Sequence, residues 1–256
     1  MTGTREDELI QTVDLLLDAR RTGRTLDGLP AALTPTDMEE VYYVQDRLAA
    51  SFGELGGWKV GAPSSEATPM FCPMPLAWIS ANNSILTGDH WRYRGLEAEI
   101  AFLVGQDLPP RSANPYTREE VLAAMASCHP AIEVLETAFA DPTSVPREAM
   151  LADLQMHGGF IHGPAVPEWR TIDFSQEKVS LAVDGVVRVE RTGSNTSGDL
   201  LKLLPWLANE GAARTGGLRA GQWITTGSWT GNTPADTEST VTAEFTHAGR
   251  VDLRFA

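Results

Sequence analysis

Apolar residues recur at helical spacing over the first fifty or so positions and then change to short strand-like runs. Between Glu8 and Arg20, the residues Leu9, Ile10, Val13, Leu15, Leu16 and Leu17 form an amphipathic stretch broken at Gly23, the pattern of a helix with one buried stripe. Thr36-Asp37-Met38-Glu39 reads as a capping box, with Thr36 capping and Glu39 reaching back. The helix behind it presents Val41, Val44, Leu48 and Phe52 and should stop near Gly53. Residues 22–35 read as an ordered loop between the two helices.

Glycines bracket a short apolar strand at Trp58-Lys59-Val60. Residues 62–75 carry Pro63, Pro69, Pro73 and Pro75 and read as a loop. From about residue 77 the pattern becomes β. Ile100 to Val104 reads as a buried strand, and Thr117 to Glu120 as a second capping box opening a helix to about Ala126. Strands are also expected around Ile132 and Val134 and over Gly158–Gly163. A hairpin turns at Asp184-Gly185. Ser197 to Glu210, with Leu200, Leu203, Leu204 and Leu207, predicts an amphipathic helix kinked at Pro205. Ile224 runs as a strand into the glycine- and hydroxyl-rich turn Gly227–Gly231, and Val241–Phe245 with Val251–Phe255 form a terminal hairpin.

Composition narrows the function classes. A formal net charge of -14 argues against nucleic acid or an anionic membrane as partner. No apolar run is long enough to span a bilayer, and the N-terminus lacks the basic-then-apolar pattern of a signal peptide. Cys72 and Cys128 are too few for a disulfide framework and form no C-x-x-C pair, so a cytoplasmic protein without a structural zinc site is expected.

The chemistry concentrates at Glu97-Ala98-Glu99. On a strand, residues i and i+2 share a face, so both carboxylates point the same way beside an apolar run. Either they sit at an exposed strand end, or a hard divalent cation offsets the cost of burying them. Glu133 and Glu136 lie on a second apolar segment, and spacing alone leaves open which side of it faces Glu97 and Glu99. Lys59, flanked by Trp58 and Val60, either snorkels to solvent or sits in a site that lowers its pKa.

Taken in order, these landmarks resemble one family. They are G-W-K-V-G at 57–61, E-x-E-I-A-F at 97–102, P-A-I-E at 130–133, A-D then G-G-F within 152–160, the D-G turn at 184–185 and T-G-S-W-T-G at 226–231. The series resembles the 2-oxopent-4-enoate (2-keto-4-pentenoate) hydratase and oxalocrotonate decarboxylase branch of the fumarylacetoacetate hydrolase superfamily, from about residue 40 onward. The resemblance implies an α+β fold, a mixed β-sandwich-like roll over residues 78–256 behind a mainly helical N-terminal region, 1–77. It implies Mg2+ or Mn2+ held by Glu97, Glu99 and Glu133, with Glu133 preferred to Glu136, and Lys59 as the active-site lysine. A homo-oligomer acting on a small 2-oxo acid in aromatic catabolism is implied as well.

The activity so implied is that of a hydro-lyase. A 2-hydroxydienoate is ketonised and water then adds to give a 4-hydroxy-2-oxo acid, through an enolate stabilised by the metal. Lys59 would transfer a proton, for which its pKa must fall toward neutrality, or hold the substrate carboxylate. Thr226 and Ser228 either donate hydrogen bonds to that carboxylate or simply satisfy their turn. The chain departs from the related A-D-N-A-S-S-G-G pattern at Leu154, Gln155, Met156 and His157. His157 and His129 thereby become candidate acids or bases near the site, or packed histidines. The same metal and enolate would also serve a 2-oxo acid decarboxylase or a C–C bond hydrolase. The hydrolase is disfavoured because no histidine precedes His90. A scaffold subunit is disfavoured because the glutamates and Lys59 are all present.

Overall fold

A computed structural model describes residues 3–256. In chain order its regular elements begin with helix α1 (Gly3–Thr22) and helix α2 (Met38–Ala50). Strands β1 (Leu55–Gly61), β2 (Met70–Pro75), β3 (Ile79–Ala81), β4 (Ser84–Leu86) and β5 (Gly95–Val104) follow. Helix α3 (Arg118–Ala124) leads into β6 (Met125–Leu135), and α4 (Arg147–Ala152) into β7 (His157–His162). Then come β8 (Lys178–Val183), β9 (Val186–Thr192), a short helix α5 (Leu203–Trp206), β10 (Trp223–Thr225), β11 (Thr233–Pro234), β12 (Thr240–Phe245) and β13 (Gly249–Phe255).

The strands form two mixed sheets. The eight-stranded sheet runs β2-β1-β10-β5-β6-β7-β3, with β11 paired to β5, and the five-stranded sheet runs β4-β13-β12-β8-β9. β12 and β13 pack over β6, and their inward residues Val241, Ala243, Phe245, Val251 and Leu253 share one core with Ile100, Phe102, Ile132 and Val134. This is the expected β-sandwich-like roll. Helices α1, α2 and α4 bury a second cluster, including Leu9, Leu16, Val44, Leu48, Ala149 and Leu154, together with Cys72 of β2. Cys72 and Cys128 are both free and buried. Among the described residues no helix is long and apolar enough to cross a membrane.

Three local expectations need correction. The first cap of α2 lies one residue later than Thr36. The segment Thr36-Asp37-Met38-Glu39-Glu40 contains two overlapping boxes, and Asp37 is the cap, accepting from Glu40 N at 2.9 Å. Glu40, not Glu39, reaches back, accepting from Thr36 N at 2.8 Å. Arg5 decides between them by gripping both Glu40 carboxylate oxygens at 2.7 and 2.6 Å. Second, the proline-rich stretch is not all loop, because residues 70–75 form β2 antiparallel to β1. Proline lacks an N–H for a ladder and is tolerated on edge strands, and β2 is an edge strand. Third, the helix expected over Ser197–Glu210 is broken into a 3-10 turn at Leu200–Lys202, α5, and a π-helical turn at Leu207–Gly211. Pro205 removes an i to i−4 bond there, while Leu200, Leu203, Leu204 and Leu207 are still fully buried.

The strands β1 and β2, drawn from the first 77 residues, extend the large sheet beside β10. Their approach needs a bare backbone at Gly57, where a Cβ would lie 2.3 Å from the Trp223 carbonyl oxygen. The cap assignment is tested by denaturant unfolding. Asp37→Ala should lower stability by about 1 kcal/mol, whereas Glu39→Gln, on an exposed side chain paired with Arg214, should change it by less than about 0.5 kcal/mol.

Candidate active site

β5 and β6 run antiparallel with Glu97 directly opposite Glu133 and Glu99 opposite Ala131. Side chains alternate along a strand, so Glu97, Glu99 and Glu133 share one face of the sheet. Leu96, Ala98, Ile100, Phe102, Ile132 and Val134 occupy the opposite face, in the main core. A one-residue slip would drive the carboxylates into that core. The apolar packing therefore fixes the register that assembles the acidic cluster. One carboxylate oxygen from each of Glu97, Glu99 and Glu133 lies within 4.8 Å of the others.

Lys59 reaches the cluster through β10. In register, Lys59 lies beside Thr225, and Thr225 beside Ala101 of β5. Its ammonium sits 2.7 Å from Glu133 Oε1 and donates to the Gln155 carbonyl at 3.2 Å. His157 opens β7, and its Nδ1 lies 2.9 Å from the same Glu133 oxygen. Glu99 Oε2 accepts from the Thr225 hydroxyl and from Gly227 N, the latter at 3.1 Å. The Ser228 hydroxyl accepts from Gly231 N at 2.9 Å within its turn and lies near Glu97, whose pKa it pulls down against burial and Glu133. The Thr226 hydroxyl instead donates to the Ile100 carbonyl at 2.7 Å and closes the turn onto β5.

The electrostatics follow from burial. Two like charges 4–5 Å apart repel by on the order of 3 kcal/mol at an effective dielectric constant of about 20. Burial and the neighbouring Glu133 raise the pKa of Glu97 and raise that of Glu99 well above the ordinary range. For Glu133 burial also pushes upward, but Lys59 and the His157 hydrogen bond outweigh it and hold the carboxyl below its ordinary value. Burial pulls Lys59 down, yet Glu133, Glu97 and Glu99 overcome it and keep the ammonium above its ordinary value. That direction is opposite to the one proton transfer by Lys59 requires. His157 is lowered by burial despite Glu133, which favours a neutral ring donating from Nδ1.

The donor set fits a hard divalent cation. If all three glutamates ionise, the single charge on Lys59 leaves two negative charges uncompensated. Glu133 Oε2 is buried with no hydrogen-bond partner among the described residues, as a ligand oxygen without its ion would be. Oxygen-only sites of this kind suit Mg2+, Mn2+ or Ca2+ rather than softer metals.

Two other candidates lie apart from the cluster. Glu136 is satisfied by the backbone, accepting from Arg92 N at 2.6 Å, Tyr93 N at 2.9 Å and Thr137 N at 3.0 Å. His129 is four residues along β6 from Glu133, roughly 13 Å by strand geometry. Its ring nitrogens bond Ser127 Oγ at 2.7 Å and the Gly163 carbonyl at 2.8 Å. Thr225 and the Gln155 carbonyl were not legible as site groups. The alternation Lys59, Thr225, Ala101 exists only across strands, and a backbone carbonyl leaves no mark in a sequence. The Gln155 carbonyl is presented by an unusual turn, in which Leu154, Gln155 and Met156 have φ of 51°, 50° and 62°. Each left-handed residue bearing a side chain costs roughly 1–2 kcal/mol.

No protein-family model matches the chain. It is 26% identical over 233 residues to the 2-hydroxyhexa-2,4-dienoate hydratase of Comamonas testosteroni, covering 86% of this chain and 87% of that protein. It is 30% identical over 132 residues to the 2-keto-4-pentenoate hydratase of Burkholderia vietnamiensis, covering 52% of this chain and 49% of the relative. Its fold is similar to the solved structure of a 4-oxalocrotonate decarboxylase from Pseudomonas putida G7 complexed with magnesium and adipate. There the TM-score is 0.84 at 21% identity, with both chains covered in full.

The buried carboxylates make a pH signature. A raised folded pKa means that Glu97 and Glu99 contribute most to stability below about pH 4.3, the unfolded value. That contribution is lost as the pH rises through the raised folded value. In chelator-treated protein the thermal midpoint of Glu99→Gln should therefore gain on wild type as the pH rises from about 4.3 toward neutrality. At a hundredfold excess over Kd, a divalent cation should stabilise wild type by about 2.7 kcal/mol, and Glu99→Gln should lose most of this. A metal-induced rise that survives the substitution would remove Glu99 from the ligand set.

Proposed function

We propose that this chain is a member of the 2-keto-4-pentenoate hydratase and oxalocrotonate decarboxylase branch of the fumarylacetoacetate hydrolase superfamily, and a metal-dependent hydro-lyase that hydrates a 2-hydroxydienoate to a 4-hydroxy-2-oxo acid. The observation that carries the reading is the cluster of buried Glu99 and Glu133 with half-buried Glu97, and Lys59 against it, in a chain alignable over most of its length with a dienoate hydratase. All of these groups come from one chain, so the reading holds for whatever homo-oligomer the protein forms.

Glu97, Glu99 and Glu133 would hold the ion, with Mg2+ or Mn2+ preferred for an all-carboxylate set. When bound, the ion supplies a Lewis acid for the 2-oxo oxygen, where enolate charge gathers. The other roles belong to the chain's own residues. Lys59 keeps its proton and offers a cationic N–H to the substrate carboxylate. Ser228, at the mouth of the turn beside Glu97, is a second donor to that carboxylate. Thr226 keeps the turn that presents Ser228 in place. His157 is neutral, and its Nε2 is buried without a hydrogen-bond partner among the described residues. It is therefore the group of the Lys59–His157 pair able to accept a proton, while its Nδ1–H orients Glu133. Ketonisation moves the 2-hydroxyl proton away and a proton onto C5. Water then adds at C4, and its second proton completes C3.

The test is turnover with Mg2+ on 2-hydroxypenta-2,4-dienoate, and separately on 2-oxohex-3-enedioate and oxaloacetate. Loss of diene absorbance without CO2 is expected on the first, with the 4-hydroxy-2-oxo acid as product. Lys59→Met, which removes a charged hydrogen bond to the substrate carboxylate, should lower kcat/KM by about a hundredfold. Release of CO2 from either of the other two would instead assign a decarboxylase using the same cluster.

A further inference from the structure

The turn Leu154-Gln155-Met156 has to be held from outside, because three successive side-chain-bearing residues do not keep positive φ by themselves. One side chain distant in sequence does most of the holding. Arg20, in the last turn of α1, donates Nε–H to Asp153 Oδ1 at 2.5 Å. One terminal nitrogen donates to the carbonyls of Asp153 and Glu136 at 2.9 and 3.1 Å. The other donates to the His157 carbonyl at 2.9 Å. A single guanidinium thus grips the residue before the turn and the residue after it. Asp153 is closed from its other side, where Oδ2 accepts from the Thr137 hydroxyl at 2.8 Å and from Ala138 N at 2.7 Å. The Arg20 and Asp153 side chains are 6% and 0% exposed. Trp78 covers the assembly, its ring centre 5.5 Å from the guanidinium carbon and 5.8 Å from the His157 ring.

We propose that Arg20 and Asp153 are positioning residues for the active site. Their buried pair fixes the left-handed turn, and the turn sets the Gln155 carbonyl against Lys59 and the His157 ring against Glu133. A buried ion pair is weak evidence of stabilisation, since desolvation can exceed the Coulombic gain. Placement explains it better. Only a planar fork can bind a carboxylate and three carbonyls in fixed directions, and lysine cannot substitute for it. The segment gripped is also the one where small polar residues of the family pattern give way to Leu154, Gln155, Met156 and His157. The side chains of the first two residues of this turn are committed. Leu154 is buried in the helical core, and Gln155 Nε2 donates to the Phe71 carbonyl at 2.7 Å.

The inference rests on the reading of Lys59 and the glutamates as the active site, and Arg20→Lys tests the two separately. This variant keeps the charge and removes the fork. On 2-hydroxypenta-2,4-dienoate its kcat should fall about tenfold or more, with KM and Mn2+ affinity each within about threefold and unfolding still cooperative. Met156→Val leaves Arg20 and Asp153 intact but puts a β-branched residue at positive φ, and should give the same split. A crystal structure of Arg20→Lys should show the Lys59 contact to the Gln155 carbonyl broken. Folded Arg20→Lys with wild-type kcat, or with the turn unchanged in its crystal structure, overturns the proposal. So does a fall in kcat no larger than the loss of folded protein. Wild-type protein silent on the dienoate would count against the hydratase reading alone, and the crystal structure would still decide the clamp.

Discussion

Three carboxylates within 4.8 Å of one another on a buried face are the interaction to which the rest of the structure answers. Left alone, they repel one another and lose hydration. The fold offsets this only in part. Lys59 and His157 both bind one oxygen of Glu133, and Thr225 and Gly227 bind one oxygen of Glu99. The second oxygen of Glu133 is left without a hydrogen-bond partner among the described residues. Once its carboxylates ionise, a site so incompletely neutralised by protein groups favours a divalent cation through Coulomb attraction.

The scaffold explains how such a cluster survives folding. The face of β5 and β6 opposite the carboxylates is continuous with the core against β12 and β13. Apolar burial of roughly 25 cal/mol per Å² acts along that whole face, and it fixes the register that holds the glutamates together. Stability and chemistry thus occupy opposite faces of the same strands. The helical part has a matching division of labour. Its apolar stripes bury Leu9, Leu16, Val44 and Leu48, while Arg20, from the same first helix, reaches the segment between α4 and β7.

The places where local reasoning and the structure part are instructive. Thr36 and Asp37 offer nearly equal caps, and the choice between them is made by Arg5, more than thirty residues away in sequence. Pro73 argues for a loop when read locally, yet it occupies a strand because that strand lies at the edge of the sheet. His129 and His157 look alike in sequence, but only His157 reaches the carboxylates. The two sit at opposite ends of the site face, His129 against Trp223 and His157 against Glu133.

What the sequence determined by itself was whatever short-range geometry enforces. The two-residue period of a strand commits Glu97 and Glu99 to one face, the Asp184-Gly185 turn specifies its hairpin, and the ordered landmarks from Gly57 to Gly231 carry the family resemblance. The side on which Glu133 lies was decided by the tertiary structure, because it depends on the pairing of two strands whose register is set by the core behind them. The same holds for Thr225 beside Glu99, for the Gln155 carbonyl on Lys59 and for the grip of Arg20 on Asp153. Contacts of that kind join residues far apart in the chain, and nothing in local propensity or spacing records them until the apolar faces have packed.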